Sequence, residues 1–282
     1  MQLYYYRDPA GNFGDDLNPW LWPKLLSAPV EHCFDEDTLF IGVGSLLNHK
    51  VPPTPVKKIV FGAGCGYGTA PDITPAWRFY CVRGPLSARA LNLPAAAVIS
   101  DAALLVRGYL EPNASKPVHR AAFMPHHLTH HSDRWQPICE QLGIAYIDPT
   151  APVERTVETI RTSVVIITEA MHGAIIADAF RVPWIPVRTR PRISLFKWTD
   201  WSQSVGLEHR FEWLPPVWSS SIDRREKRVL HPALARVSRE RLRWLLRFGR
   251  RRLSSDVVFR EVYVRLRSRF DEMAAAAAAD TR

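Results

Sequence analysis

The sequence predicts an α/β protein with two Rossmann-like domains, and three observations carry that prediction. Short apolar runs alternate with helix-length amphipathic segments across the first two hundred residues, the pattern of parallel βαβ units. The pattern restarts after a polar, proline-containing stretch at 111–117 (EPNASKP), which reads as a hinge. Many of the runs end in turns bearing glycine, carboxylate or histidine, and ligands of open α/β sheets sit at such carboxyl ends. The expected organisation is an N-terminal domain at 1–112, a second domain at 113–217 and a basic helical tail at 218–282.

Residues 3–6 read as the first strand, followed by a loop at 8–16 and a helix carrying Trp20, Leu21, Leu25 and Leu26. Residues 39–42 and 58–61 are short strands running into FIGVGSLL and VFGAGCGYG. Residues 79–82 form another, and RGPLSARAL starts a helix with Pro85 early, where a missing N–H costs least. Residues 98–100 lead to Asp101. In the second half, 121–124 is a strand ending in PHHLTHH, and a helix around 135–142 stops at Gly143. Residues 145–147 form a strand and 153–160 a helix. The apolar strand 164–168 ends in a tight turn with Glu169, Met171, His172 and Gly173; a short helix and the strand 182–187 follow. Residues 211–221 mark the exit from this domain. In the tail, Phe259, Val262, Leu266, Phe270 and Met273 recur at helical spacing, and Leu234, Leu242, Leu245, Leu246 and Leu253 form a looser stripe before them. The alanine run at 274–279 is expected to fray.

A hydrophobic fraction of 46% with 10 Trp suffices for sizeable cores and argues against general disorder. No basic-then-apolar leader follows Met1, and no apolar run approaches the ~18 residues of a membrane span. Cys33, Cys65, Cys81 and Cys139 are scattered without a C-x-x-C pair, which fits reduced thiols in a cytoplasmic protein. The net charge of +9 resides wholly in residues 222–282, which hold 17 basic and 8 acidic residues. Any argument from charge to a partner is therefore confined to the tail.

His172 stands at a strand–helix junction and is the side chain type that exchanges protons most readily near neutral pH. It is a candidate catalytic residue, the alternative being a helix cap or the filler of a polar gap. In GNFGDDLN, Asn12, Gly14, Asp15 and Asp16 precede a helix whose N–H groups suit an anion or a sugar hydroxyl. The two carboxylates suit sugar hydroxyls or proton abstraction, or they simply cap the helix. Gly62, Gly64, Gly66 and Gly68 do not make the dinucleotide fingerprint, and no acidic residue ends a strand at the matching distance, so no nicotinamide cofactor is expected. Arg83 is either a bidentate clamp for carboxylate or phosphate or half of a salt bridge. Asp101 orients a neighbouring base or caps the next helix. His126, His127, His130 and His131 lack H-E-x-x-H or paired cysteines, so no metal is expected, and His126 is read as lining a ligand pocket. The arginine-rich tail is a solvated packed helix, a surface for anionic lipid (which Trp244 and Phe248 suit) or, last, a nucleic-acid patch that no recognised module supports.

The ordered motifs GNFGDDLNPWLW, FIGVGSLL, FGAGCGYG, CVRGPLSARAL, SDAALLV, FMPHH and TEAMHGAIIADAFRVPW resemble the polysaccharide pyruvyl transferase family over roughly residues 1–200. The chain looks similar in particular to its succinoglycan-type exopolysaccharide ketal pyruvyl transferases. The resemblance implies two domains facing a cleft in a glycosyltransferase-B-like arrangement, phosphoenolpyruvate (PEP) as co-substrate and no other cofactor. It implies a sugar acceptor, often lipid-linked, and a cytoplasmic enzyme peripheral to the inner membrane face. It maps donor contacts onto Arg83 and His172. The expected site thus has His172, Asp15 and Asp16 as catalytic residues, Arg83, His126, Gly173, Glu169 and Gly64 on the donor, and Asn12 and Gly14 on the acceptor. Many members carry an Arg two residues before the His; here Ala170 stands there, and Arg188, Arg190 or Arg192 is a candidate substitute. The competing readings are a nucleotide-sugar glycosyltransferase of the same architecture and a non-catalytic scaffold binding glycan or carrier lipid.

Overall fold

A computed structural model describes residues 1–110, 117–130, 132–190, 194–217 and 227–280. In chain order its elements are β1 (Gln2–Tyr4), α1 (Phe13–Leu26), β2 (Thr38–Ile41), β3 (Lys57–Phe61), β4 (Trp77–Cys81), α2 (Pro85–Ala90) and α3 (Val106–Tyr109). There follow β5 (Ala122–Met124), α4 (Ser132–Leu142), β6 (Ala145–Tyr146), α5 (Val153–Arg161), β7 (Ile166–Thr168), α6 (Met171–Ala179) and β8 (Trp184–Arg188). The last are α7 (Leu195–Ser204), β9 (Glu212–Trp213), α8 (Lys227–Phe248) and α9 (Asp256–Asp280). They form two compact units, each discontinuous in sequence. Unit 1 comprises the described parts of Met1–Glu111, Ser194–His209 and Ser254–Arg282; unit 2 comprises those of Pro112–Ile193 and Arg210–Leu253. The α/β class holds: each unit is a parallel sheet with helices against it.

The unit 1 sheet has the order β1-β2-β3-β4, all parallel. Every residue of β2 is buried, as expected for a strand covered on both faces. On one face Trp22 of α1 packs edge-on against Phe40 and Phe61, with ring centroids 4.7 and 5.7 Å apart. Phe270 of α9 meets Phe61 on the same side, at 6.2 Å. The stripe Phe259, Val262, Leu266, Phe270 and Met273 is buried along its whole length, so the helical spacing read from the sequence is a packing face. The alanine run does not fray. It continues α9 to Asp280 with Ala277 buried, because alanine has the highest helix propensity.

The unit 2 sheet has the order β6-β5-β7-β8-β9, again parallel. Strand alternation sends Phe123, Ile167, Ile185 and Val187 to one face, where they form a core with Trp135, Ile138, Cys139 and Leu142 of α4 and Leu242 and Leu245 of α8. The opposite face presents Met124, Thr168 and Pro186, the latter two paired in register. Here α6 packs so closely that a Cβ on Gly173 would lie 2.6 Å from Thr168 Oγ1 and 2.8 Å from Met124 Sδ. Arg188 shares this face, two residues beyond Pro186.

The segment 98–100 that leads to Asp101 joins the sheet only through one bridge between Val82 and Val98. Helix α7 and strand β9 were not expected. Residues 111–116 of the expected hinge, His131, Arg192 and 218–221 lie outside the described residues. No helix among the described residues is long and apolar enough to cross a membrane.

Candidate active site

In unit 1 the glycine-bearing motifs fall at the carboxyl ends of the four strands, as parallel order requires. After β1, Asn12 caps α1: its side chain accepts from Gly14 N–H at 3.3 Å and donates to Asp15 Oδ2 at 2.6 Å, while its own N–H donates to Asp16 Oδ2 at 3.0 Å. The cap and the carboxylates are thus one structure, and Asp15 and Asp16 remain half-exposed. Asn18, one turn on, is fully buried and ties the helix to the β2 loop, accepting from Val43 N–H and donating to Val43 O, both at 2.8 Å.

Arg83 follows β4 and is fully buried. Its Nε donates to Asp200 Oδ2 at 3.0 Å, one Nη to Ser45 Oγ at 2.8 Å and the other to Cys65 O. Asp200, on α7, also accepts from the N–H and hydroxyl of Ser87. The sequence reading missed Asp200. Its signal was a lone carboxylate between Trp198 and Trp201 on a helix, since a buried charge needs a partner. Gly64 is where the guanidinium crosses the chain, because a Cβ there would lie 2.5 Å from Arg83 Cζ. Its N–H is engaged by Gly44 O. Arg83 and Gly64 therefore meet, with the guanidinium enclosed by protein groups. Cys65 beside them has its thiol pushed up to about 11 by burial, so it stays protonated. Asp101 caps the short helix after it, its Oδ1 accepting from Ala103 N–H at 3.0 Å.

In unit 2 the loops after β5, β7 and β8 meet at Glu169, which is 1% exposed. Its Oε1 accepts from the N–H and hydroxyl of Thr189 at 2.6 and 2.7 Å. Its Oε2 accepts from His126 N–H at 3.2 Å and from the Thr129 hydroxyl. Glu169 and His126 are thus brought together, through the histidine's backbone. The His126 ring lies 4.2 Å from that of His127, and its Nδ1 accepts from Leu128 N–H. Among the described residues, no group of three His, Cys, Asp or Glu is placed to hold a metal ion.

His172 is the second residue of α6 and is half-buried. The helix starts at Ala170 with no side-chain cap and no acidic residue in its first turn, so no capping side chain takes up the first N–H groups at its positive end. Arg188 ends β8 on the same face of the sheet. Its Nε is buried and has no hydrogen-bond partner among the described residues.

The strand-end motifs stand where open parallel sheets hold ligands, and comparison with known proteins identifies the family. Residues 3–191 match polysaccharide pyruvyl transferase, and the chain belongs to that family. Among curated proteins it is similar to the succinoglycan biosynthesis protein ExoV of Rhizobium meliloti (strain 1021), 41% identical over 212 residues. The match covers 74% of this chain and 66% of that protein, just under two thirds of its length.

Proposed function

We propose that the chain transfers pyruvate from PEP to a sugar of a bacterial exopolysaccharide repeat unit, forming a ketal and releasing phosphate. The acceptor in this reading is a lipid-linked oligosaccharide, and the enzyme works peripherally at the inner membrane face. The observation that carries the reading is the anion-accepting end of the unit 2 sheet. There α6 begins uncapped, His172 sits in its first turn, and Arg188 keeps a buried Nε–H without a partner among the described residues. PEP brings a carboxylate and a phosphate, which need cationic and N–H donors. Arg188 takes the place of the Arg missing at Ala170. Arg190 lies two residues past β8, and Arg192 is outside the described residues.

In the reaction, His172 as imidazolium gives a proton to the enol methylene, leaving cation character on the central carbon. A sugar hydroxyl bonds to that carbon and passes its proton to Asp15 or Asp16. The carbon–oxygen bond to phosphate breaks and phosphate leaves, while a second hydroxyl bonds to the same carbon and returns a proton to His172, closing the ring. Asn12 and Gly14 belong to the acceptor side. Glu169, His126 and Gly173 shape the donor side without touching the anion: Glu169 braces three loops, and Gly173 lets α6 approach the sheet. Arg83 and Gly64 act as positioning residues, fixing the loops after β2 and β3, in place of the direct donor contact that the resemblance implies.

Phosphate release with PEP and the acceptor tests this. His172→Ala should lower turnover by roughly 10²–10⁴-fold while the fold stays intact. Arg188→Ala should raise the KM for PEP by roughly tenfold to a hundredfold, with partial recovery in Arg188→Lys, as for a lost hydrogen bond to a charged group. No phosphate release, together with a melting temperature raised by a nucleoside diphosphate sugar and not by PEP, would turn the assignment to a glycosyltransferase.

A further inference from the structure

We infer that the outer face of α8 is a docking surface for an anionic lipid bilayer. This rests on the peripheral-membrane reading above and assigns it to particular side chains. The inner face of α8 is spoken for: Leu242 and Leu245 are fully buried in the unit 2 core, and the hydroxyl of buried Ser238 lies 2.8 Å from both Pro215 O and Leu234 O, either of which can accept its proton. The helix is therefore fixed, and its other face is presented permanently.

That face is unlike an ordinary solvated one. Val237, Trp244 and Phe248 are 53%, 43% and 58% exposed, and spacings of seven and four put them on one stripe. The Trp244 and Phe248 rings lie 5.7 Å apart. Trp213 of β9, 46% exposed, has its carbonyl bonded by Arg241 of the same helix. Guanidinium groups border the rings, with Arg241 4.2 Å from Trp244 and Arg247 5.2 Å from Phe248. Arg241 is neutralised by Glu212 at 2.7 Å and Arg243 by Glu240. Exposed Arg247, Arg250 and Arg251 make no ion pair among the described residues, so their charge is available to an external anion.

Aromatic rings flanked by arginines with long apolar stems match the interface of an anionic bilayer, where the rings reach the acyl boundary and the charges stay at the headgroups. Helix α9 offers no equivalent. Its aromatic stripe is inside unit 1, and its exposed large apolar side chains among the described residues are Val257 and Val264, which bring no ring to the surface.

Flotation of the full chain with phosphatidylglycerol–phosphatidylcholine vesicles, against pure phosphatidylcholine, tests the assignment. The wild type should float with the anionic vesicles and be released by salt. Trp244→Ser/Phe248→Ser should weaken binding by roughly tenfold or more. Arg247→Gln/Arg251→Gln should weaken it by roughly fivefold per charge removed. Both should melt like the wild type, and Val264→Ser should bind like it. A wild type that floats with no vesicle overturns the peripheral-membrane reading and this inference together. Wild-type flotation with undiminished binding by both α8 variants overturns the inference alone. A wild-type dimer that the aromatic variant dissociates, without flotation of either, makes the face a self-association surface and overturns both.

Discussion

Glu169 accepts four hydrogen bonds at a buried site, from Thr189, His126 and Thr129, none of them from a Lys or Arg. Neutral donors from two other loops hold the carboxylate, so replacing one oxygen with an amide group turns an acceptor toward donors. Glu169→Gln should cost about 2–4 kcal/mol, from hydrogen bonds to a charged group lost and donors left unpaired. Urea unfolding would register this as a lower midpoint at unchanged slope. An unchanged midpoint would mean the carboxylate is no brace. The sequence placed Glu169 beside His172 but could not reveal this work. Its partners lie 40 residues before it and 20 after it, and only strand order brings them together. The cap before α1 is local, spanning five residues, and the sequence announced a cap there but gave it to Asp15 or Asp16; the residue that caps is Asn12.

At the scale of elements, α7 shows how a loop end is stiffened from far along the chain. Asp200 lies 117 residues from Arg83 in sequence, yet both are fully exposed to nothing but protein. Removing one partner of such a pair leaves a buried uncompensated charge. Asp200→Ala should therefore cost about 3–5 kcal/mol, while a double Arg83→Met/Asp200→Leu change should cost distinctly less. Thermal or urea unfolding of the wild type, Asp200→Ala, Arg83→Met, Asp200→Leu and the double variant measures the difference. A double variant as unstable as the sum of the single losses would refute the coupling. The strands other than β9 and most helices were legible because their apolar periods are local. Helix α7 was not recognised, because the chain returns to unit 1 at Ser194 without any compositional break.

For the whole molecule, the family match ends at residue 191, before α7, α8 and α9, yet the unit 1 core depends on α9. The stripe periodicity identified that helix but not its destination, since an amphipathic face says that something will cover it and not what. Cys81 reports on the dependence. It is fully buried at the end of β4, and burial pushes its thiol up to about 12, so it stays protonated and out of reach of reagents. Iodoacetamide should leave Cys81 unmodified in the full chain. A chain ending at Leu253 loses Phe259, Val262, Leu266, Phe270 and Met273 from the core, each about 2–5 kcal/mol as a large buried side chain. Against a typical domain stability of about 5–15 kcal/mol, that loss should unfold unit 1. Cys81 should then alkylate at the rate of a free thiol, and amide exchange in β2 and β3 should lose its protection. Native protection of Cys81 in the shortened chain would show that α9 merely rests on a core complete without it.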